Sequence, residues 1–354
     1  MRSQDDRLLW GVAIALSLIS LVALRSASAT LNPSLVWRQA VWVAVGACAG
    51  WFVSRVAYFR WIHVAVPFYA LSVLLLVVVE AAGTMKLGAE RWLTIGGLSL
   101  QPSEVAKLAT ACMLARYLGS RPSPLSLRSL VVSGALASWP AVLILVQPDL
   151  GTATILWAVW FGTAWVAGMR RRHLAGLCLF AVALLPVGWH VLKDYQRARL
   201  LVFLNPHVDP LGTGYTIIQS TIAIGSGQWV GRGWMAGTQN QLNFLPERHA
   251  DFLYSVIGEE WGFLGSCVVV GLIGCLIWRA VRIAVKNSER EGRMLAAALT
   301  SWIGYQAVIN MGMVMGLAPV VGIPLPLVSY GGSAMVTTWM AIGLLQSIHR
   351  FGIR

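Results

Sequence analysis

The sequence predicts an all-α polytopic membrane protein: about ten transmembrane helices, both termini cytoplasmic, and a large extracytoplasmic loop between helices 7 and 8. Three observations predict it. The chain is 57% hydrophobic and only 12% charged, where soluble domains run at about 45–50% and about 25%, so water is the wrong solvent for it. Apolar runs of roughly 17–25 residues, enough to cross a bilayer, recur along the whole length. Basic residues gather between those runs, as determinants of topology do. Residues 1–354 therefore read as a single integral-membrane unit whose one long connection is 193–250.

The runs fall at 8–24, 36–54, 61–82, 104–118, 128–146, 150–168, 173–192, 251–278, 293–317 and 329–348. The fourth is the weakest, since Glu104, Lys107 and Arg116 interrupt it. With the N-terminus inside, the inner connections receive 17 of the 27 Lys and Arg residues and the outer ones 9, with Lys107 inside a run. That bias satisfies the positive-inside rule and places 193–250 outside. Arg2 and Arg7 before the first run and "SASA" (26–29) after it also fit a cleavable signal peptide. The run is long for that, which favours an uncleaved helix, and cleavage would not reorient the others.

Two function classes drop out. The net charge of +13 does not mean nucleic acid, because no basic stripe is interleaved with aromatics and no binding motif is present. Cys48, Cys112, Cys178, Cys267 and Cys275 all lie in apolar runs without a CxxC or Cys/His cluster. They argue against a disulfide framework or thiolate metal site and for buried packing.

Polar residues at membrane depth are expensive, so each needs a reason. In "GAERWLTIGGLSLQPSEVAK" (88–107), Glu90, Arg91, Trp92, Glu104 and Lys107 cluster near the outer surface. On a helix Glu104 and Lys107 are i,i+3 neighbours, so an internal ion pair and a substrate contact are both open. In "QPDLGT" (147–152), Gln147 and Asp149 sit in a tight turn where Asp149 is suited to cap the sixth helix. The long connection carries Arg197 and Arg199, then a stretch, 215–224, containing Gln219, that can lie amphipathically at the interface. A connection this long is functional or disordered, and this one is too apolar for disorder.

"FLPERHADF" (244–252) closes that connection and packs Glu247, Arg248, His249 and Asp251 against the next run. Asp251 is expected at the helix N-cap, where the dipole would keep its carboxylate ionised. Glu247 and Arg248 suit a surface ion pair. Glu259 and Glu260 lie about 12 Å further along that helix and so in the bilayer interior. In "NMGMVMGLAPVVGIPLPLVSYGGSA" (310–334), prolines 319, 324 and 326 and the pair Gly331–Gly332 break the helix around Ser329. Irregular backbone at that depth must be buried in protein or line a cavity, and a cavity open to the outer leaflet is the preferred expectation.

"GTQNQLNFLPERHADF", "IAIGSGQ", "QPDLGTA" and "GIPLPLVSYGGS" closely resemble the SEDS family (shape, elongation, division and sporulation). "GGLSLQPSEVAK" and "DYQRARLL" resemble its elongation branch, typified by RodA, more than its division branch, typified by FtsW. The likeness runs from about residue 37 to 345, with departures at Ala250, where the family usually has Thr, and Gln228, where it usually has Gly. The resemblance implies a ten-helix peptidoglycan glycosyltransferase of the bacterial cytoplasmic membrane, acting at its outer face on lipid II during elongation. It also implies a class B penicillin-binding protein as partner, alongside other elongation-complex proteins.

In the family the carboxylate at the position of Asp251 is essential and is the proposed base. On that reading Asp251 deprotonates the acceptor 4-hydroxyl, which attacks the donor anomeric carbon with inversion. Arg38, Lys107, Arg197 and Arg199 are the candidate cations for the pyrophosphate, and a divalent ion such as Mg or Mn is a further candidate, although no ligand spacing specifies a metal. Trp92, Glu104, Gln147, Asp149, Gln219, His249 and Ser329 complete the candidate substrate contacts. A lipid II flippase would need polar groups through both leaflets, and a non-catalytic scaffold would not need the Asp251 carboxylate.

Overall fold

The computed structural model describes the backbone of residues 5–30, 32–82, 84–86, 89–95, 98–191, 194–210, 212 and 214–352. It describes their side chains except at 81–82, 84–86, 89–91, 94–95, 98, 184–185, 187–188, 191, 195 and 207. The side chains of Glu90 and Arg91 therefore lie outside the described residues. Each predicted apolar run holds a helix. In α1 (Arg7–Ala27) the Asp6 side chain accepts the Leu9 N–H at 3.2 Å, capping an otherwise orphaned donor. Next come α2 (Ser34–Arg55), a one-turn α3 (Tyr58–His63) and α4 (Ala65–Ala82). α5 (Pro102–Gly119) begins on a proline, whose missing N–H costs nothing in a first turn. Ser126 caps α6 (Leu127–Val146) and Asp149 caps α7 (Leu150–Val166). Then follow α8 (Arg171–Val191), α9 (Asp194–Leu204), α10 (Tyr215–Ser226), α11 (Thr238–Gln241), α12 (Leu253–Lys286), α13 (Arg290–Val314) and α14 (Gly332–Phe351).

The surface is that of a protein solvated by lipid. Leu18, Phe52 and Leu179 are 57%, 63% and 72% exposed, and apolar faces of this kind are rare on soluble monomers. Among the described residues, α1, α2, α6 and α12 are long and apolar enough to cross a membrane, with shorter apolar stretches in α4 and α7. Inside, small residues let helices touch. A Cβ on Gly343 of α14 would meet the Gly50 carbonyl of α2 at 2.2 Å, the close backbone approach by which helices pack where burial drives nothing. The cysteine expectation is corrected for three sites: Cys112 is buried, but Cys48, Cys178 and Cys267 are exposed on outer helix faces. Lipid tolerates an apolar thiol there as well as a core does.

Two further expectations change. The chain is not wholly α-helical, since β1 (Thr84–Lys86), β2 (Ala89–Ile95) and β3 (Leu98–Leu100) form an antiparallel sheet in the order β1-β2-β3. Strands this short leave little periodicity to read beside the apolar runs. The long connection folds into α9, a 3-10 turn (Pro206–Val208), α10 and α11, and α10 covers the stretch 215–224 expected to lie amphipathically.

The eighth run is broken at Gly262, whose φ of 64° and ψ of −159° are open to glycine alone. Beyond the break α12 runs antiparallel to α1. Arg279 Nε donates to Asp6 Oδ2 at 2.8 Å at one end, and Glu260 accepts from Ser26 Oγ at the other. Glu259 and Glu260 therefore stand level with the C-terminal end of α1, not in the interior of the crossing. They bind the incoming loop. Glu259 accepts the N–H groups of Gln239 and Asn240 at 2.8 and 3.2 Å, and Glu260 accepts that of Met235 at 3.2 Å. Counting residues along one straight helix misplaced them because the sequence hides the break.

Candidate active site

Gln306 and Asn310 lie one helical turn apart on α13, both at most 1% exposed. Buried amides need partners, and the irregular chain between α13 and α14 supplies them. Gln306 Nε2 donates to the Pro324 carbonyl at 2.7 Å, and Asn310 Nδ2 to that of Ile323 at 2.7 Å. From α2, Gln39 Nε2 donates to the Ser329 carbonyl at 3.1 Å, while Ser329 Oγ accepts the Leu325 N–H at 2.8 Å. This proline-broken segment is thus held inside protein with its carbonyls satisfied, one of the two states open to irregular backbone at depth.

Asp251 is tied to the same clamp. Asn310 Nδ2 also donates to the Asp251 carbonyl, at 2.9 Å. The half-buried Asp251 side chain points at Gly322, where an added Cβ would lie 3.3 Å from Oδ2. Gly322 has φ +69°, so neither its conformation nor its surroundings favour a side chain. The expected N-cap role is corrected. Asp251 belongs to a turn in which the Glu247 carbonyl accepts the N–H groups of Ala250 and Phe252 at 3.0 and 3.4 Å. The cap of α12 is Phe252, with no side-chain capping bond.

Two more segments converge here. A Cβ on Gly151 would be 2.6 Å from the Val321 carbonyl, so the 147–152 turn closes on the loop beside Gly322. Arg199 of α9 donates to the Val320 carbonyl at 3.3 Å. Segments distant in sequence (147–152, 199, 249–251 and 320–324) therefore meet around one carboxylate.

The other candidates are placed as follows. Glu104 and Lys107 form a buried i,i+3 ion pair at 2.8 Å. Lys107 Nζ also donates to Gln306 Oε1 at 3.1 Å and lies 4.7 Å above the Trp302 ring, while Glu104 accepts from Thr337 Oγ1 at 2.8 Å. Through Gln306 the pair reaches the Pro324 carbonyl of the same loop. Asp149 accepts the Thr152 N–H and hydroxyl at 3.0 and 2.9 Å, and Gln147 Nε2 donates to the Leu76 carbonyl at 2.9 Å. Arg197 donates to the carbonyls of Trp189 and His190 at 2.9 and 3.0 Å, closing the end of α8. Arg38 is exposed on α2 next to Gln39, and Gln219 on α10 and Trp92 on β2 are half-buried.

The expected Glu247–Arg248 surface pair does not form. Arg248 is 1% exposed and donates to the carbonyls of Ala27 and Asn240 and to Thr30 and Asn243, bolting the loop to the end of α1. Glu247 instead stands 3.8 Å from His249 Nε2. Burial holds the His249 imidazole below its ordinary value of 6.5, with Glu247 opposing and Arg248 reinforcing that shift. Its carbonyl accepts the Tyr330 N–H at 3.1 Å, joining the two loops again. Sequence reasoning missed Gln39, Gln306 and Asn310. The signal was there: two amides spaced by four in "GYQAVINMG", on one face of an apolar helix. Among the described residues no group of three or more His, Cys, Asp or Glu is arranged to hold a metal ion.

Comparison with known proteins gives concordant matches. The family model described as "cell cycle protein", covering FtsW, RodA and SpoVE, matches residues 6–352. The peptidoglycan glycosyltransferase MrdB of Escherichia coli K12 is 42% identical over 282 residues, covering 79% of this chain and 76% of that protein. Stage V sporulation protein E of Bacillus subtilis is 33% identical over 364 residues, covering 99% and 98%. A solved structure described as showing coordinated polymerization and crosslinking by a peptidoglycan synthase complex superposes with TM-score 0.85 at 35% identity, covering 98% of each chain. The crystal structure of the rod shape determining protein RodA of Thermus thermophilus superposes at 0.74 with 30% identity, covering 99% of this chain and 98% of that one.

Proposed function

The chain belongs to the FtsW/RodA/SpoVE family and is a peptidoglycan glycosyltransferase; from that premise we propose how its residues carry the reaction. The substrate is lipid II, whose disaccharide is carried on undecaprenyl pyrophosphate. Asp251 takes the proton from the acceptor 4-hydroxyl. That oxygen bonds to the donor anomeric carbon as the carbon–oxygen bond to the pyrophosphate breaks, inverting the centre. The pyrophosphate departs as a stable anion, so no protonated acid is required. Arg199, held at Val320 on the loop that meets the carboxylate, is the candidate to steady it. Arg38, Arg197 and Lys107 stay candidates. Trp92, Glu104, Gln147, Asp149, Gln219, His249 and Ser329 stay candidate contacts or supports for the sugar and peptide.

The observation that supports this reading is the placing of Asp251. Its main chain is clamped by Asn310, and its carboxylate faces a left-handed glycine that keeps side chains away. Such pre-organisation is what base catalysis needs, and it is worth about 10²–10⁴-fold. Asp251→Asn is expected to insert normally and lose about that factor in glycan formation from labelled lipid II, in a reconstituted assay with a class B penicillin-binding protein present. Full polymerisation by that variant would sink the assignment and favour a scaffold. A divalent cation is proposed as the substrate's counter-ion, neutralising the pyrophosphate as it departs. The same assay with a chelator reads its contribution. We further propose that all ten apolar runs cross the membrane as one domain, with both termini in the cytoplasm and Asp251 on the outer side.

A further inference from the structure

At the end of the bundle opposite Asp251, α3 bridges α2 and α4 beside a cavity of about 790 Å³ lined by Phe59, Arg60, His63, Val64, Arg116 and Glu291. The contacts of α1 fix which end this is. Asp5 lies 3.9 Å from Arg55, just before α3, whereas Arg248 and the Asp251 turn sit beyond Ala27. Arg116, in the last turn of α5, donates to the Ile62 carbonyl at 3.2 Å and to that of His63, so its guanidinium is pinned in the wall. Arg60 is exposed, and its guanidinium engages no hydrogen bond or ion pair among the described residues. The two arginines outweigh the single carboxylate, Glu291. Phe59 and Val64 give the same cavity 54% and 46% exposed apolar side chains.

A soluble anion would use only the guanidinium groups and leave that apolar wall wet. An anionic phospholipid uses both, with phosphate oxygens on the arginine forks and acyl chains along Phe59 and Val64. Basic pockets between membrane helices are where such headgroups bind. The geometry points to a site for the phosphodiester headgroup of an anionic phospholipid at this end of the molecule, on the far side of the bundle from Asp251. Arg116 forms its fixed wall and Arg60 its uncommitted contact.

The test is native mass spectrometry of the full chain from micelles doped equally with phosphatidylglycerol and phosphatidylcholine. Wild type should retain phosphatidylglycerol preferentially, and Arg60→Gln should lose about fivefold of that preference, the worth of one basic residue at a lipid surface. Arg282→Gln is the control. It removes an exposed charge near the same end, stacked on Trp278, and should keep the preference. Because the Arg60 guanidinium engages no partner, Arg60→Gln should keep the wild-type unfolding midpoint. No preference in wild type, or equal loss in both variants, overturns the site as diffuse electrostatics. Displacement of the lipid by millimolar inorganic phosphate alone overturns the lipid assignment.

Discussion

At the scale of single residues, the chemistry depends on how tightly one carboxylate is held. Gly322 combines a φ of +69° with a Cβ position 3.3 Å from Asp251 Oδ2. An alanine there must strain its backbone, by about 1–2 kcal/mol, and crowd the base. Displacements near 1 Å cost on the order of 10²-fold, so Gly322→Ala is expected to lower polymerisation at least tenfold while membrane levels stay unchanged, read by the lipid II assay and by quantifying the inserted protein. His249 makes a pH prediction. Its folded value lies below 6.5 through burial, so the folded state binds fewer protons than the unfolded one. Its contribution to stability is complete above 6.5 and is lost as pH falls through the lower folded value. Unfolding midpoints measured from pH 7.5 to 5.5 should fall more steeply for wild type than for His249→Gln. Asp251, Asp149 and the Glu104–Lys107 pair were legible in the sequence because charge inside an apolar run is conspicuous. Gly322 and Asn310 were not singled out, since a glycine's torsion and an amide's partner are products of the fold.

At the scale of elements, α13 is the spine of the site. Its face carries Trp302, Gln306 and Asn310, which receive in turn Lys107 of α5, the Pro324 loop and the Asp251 turn. The buried Glu104–Lys107 pair locks α5 to that face, with side chains 3% and 1% exposed. Lys107→Met strands the Glu104 carboxylate, and removing one partner of a buried pair costs about 3–5 kcal/mol. The double variant Glu104→Gln with Lys107→Met should recover most of that loss in thermal unfolding, because two neutral groups need no counter-charge. A failure of the second change to rescue would show that the packing needs the ion pair itself, with its bonds to Gln306 and Thr337, and not merely charge balance. The elements were largely visible in advance as apolar runs with Ser, Asp or Pro at their starts. What periodicity could not show was the Gly262 break in α12. An apolar run continues beyond it with no turn signal, and only the Glu259 and Glu260 contacts with the 235–241 loop reveal which part crosses and which part caps.

At the scale of the whole molecule, the two ends are built differently. One end carries short turns and ion pairs, such as Asp5 with Arg55 and Arg350, and Asp6 with Arg279. The other carries the sheet, α9 to α11 and the convergence around Asp251. The excess of basic residues in the short connections predicts that the ion-paired end faces the cytoplasm, because moving arginines across a bilayer costs more than retaining them. Ser288 sits exposed between α12 and α13 at that end, and Ala236 sits exposed in the loop held by Glu260 at the other. In a background with the five cysteines replaced, a membrane-impermeant maleimide added to intact cells stripped of their outer barrier should label Ala236→Cys and spare Ser288→Cys until the membrane is opened. The reverse pattern would turn the molecule over and bring Asp251 to the cytoplasmic side. Every donor sugar would then have to be polymerised before it crossed, a product too large and polar to follow its lipid through the bilayer.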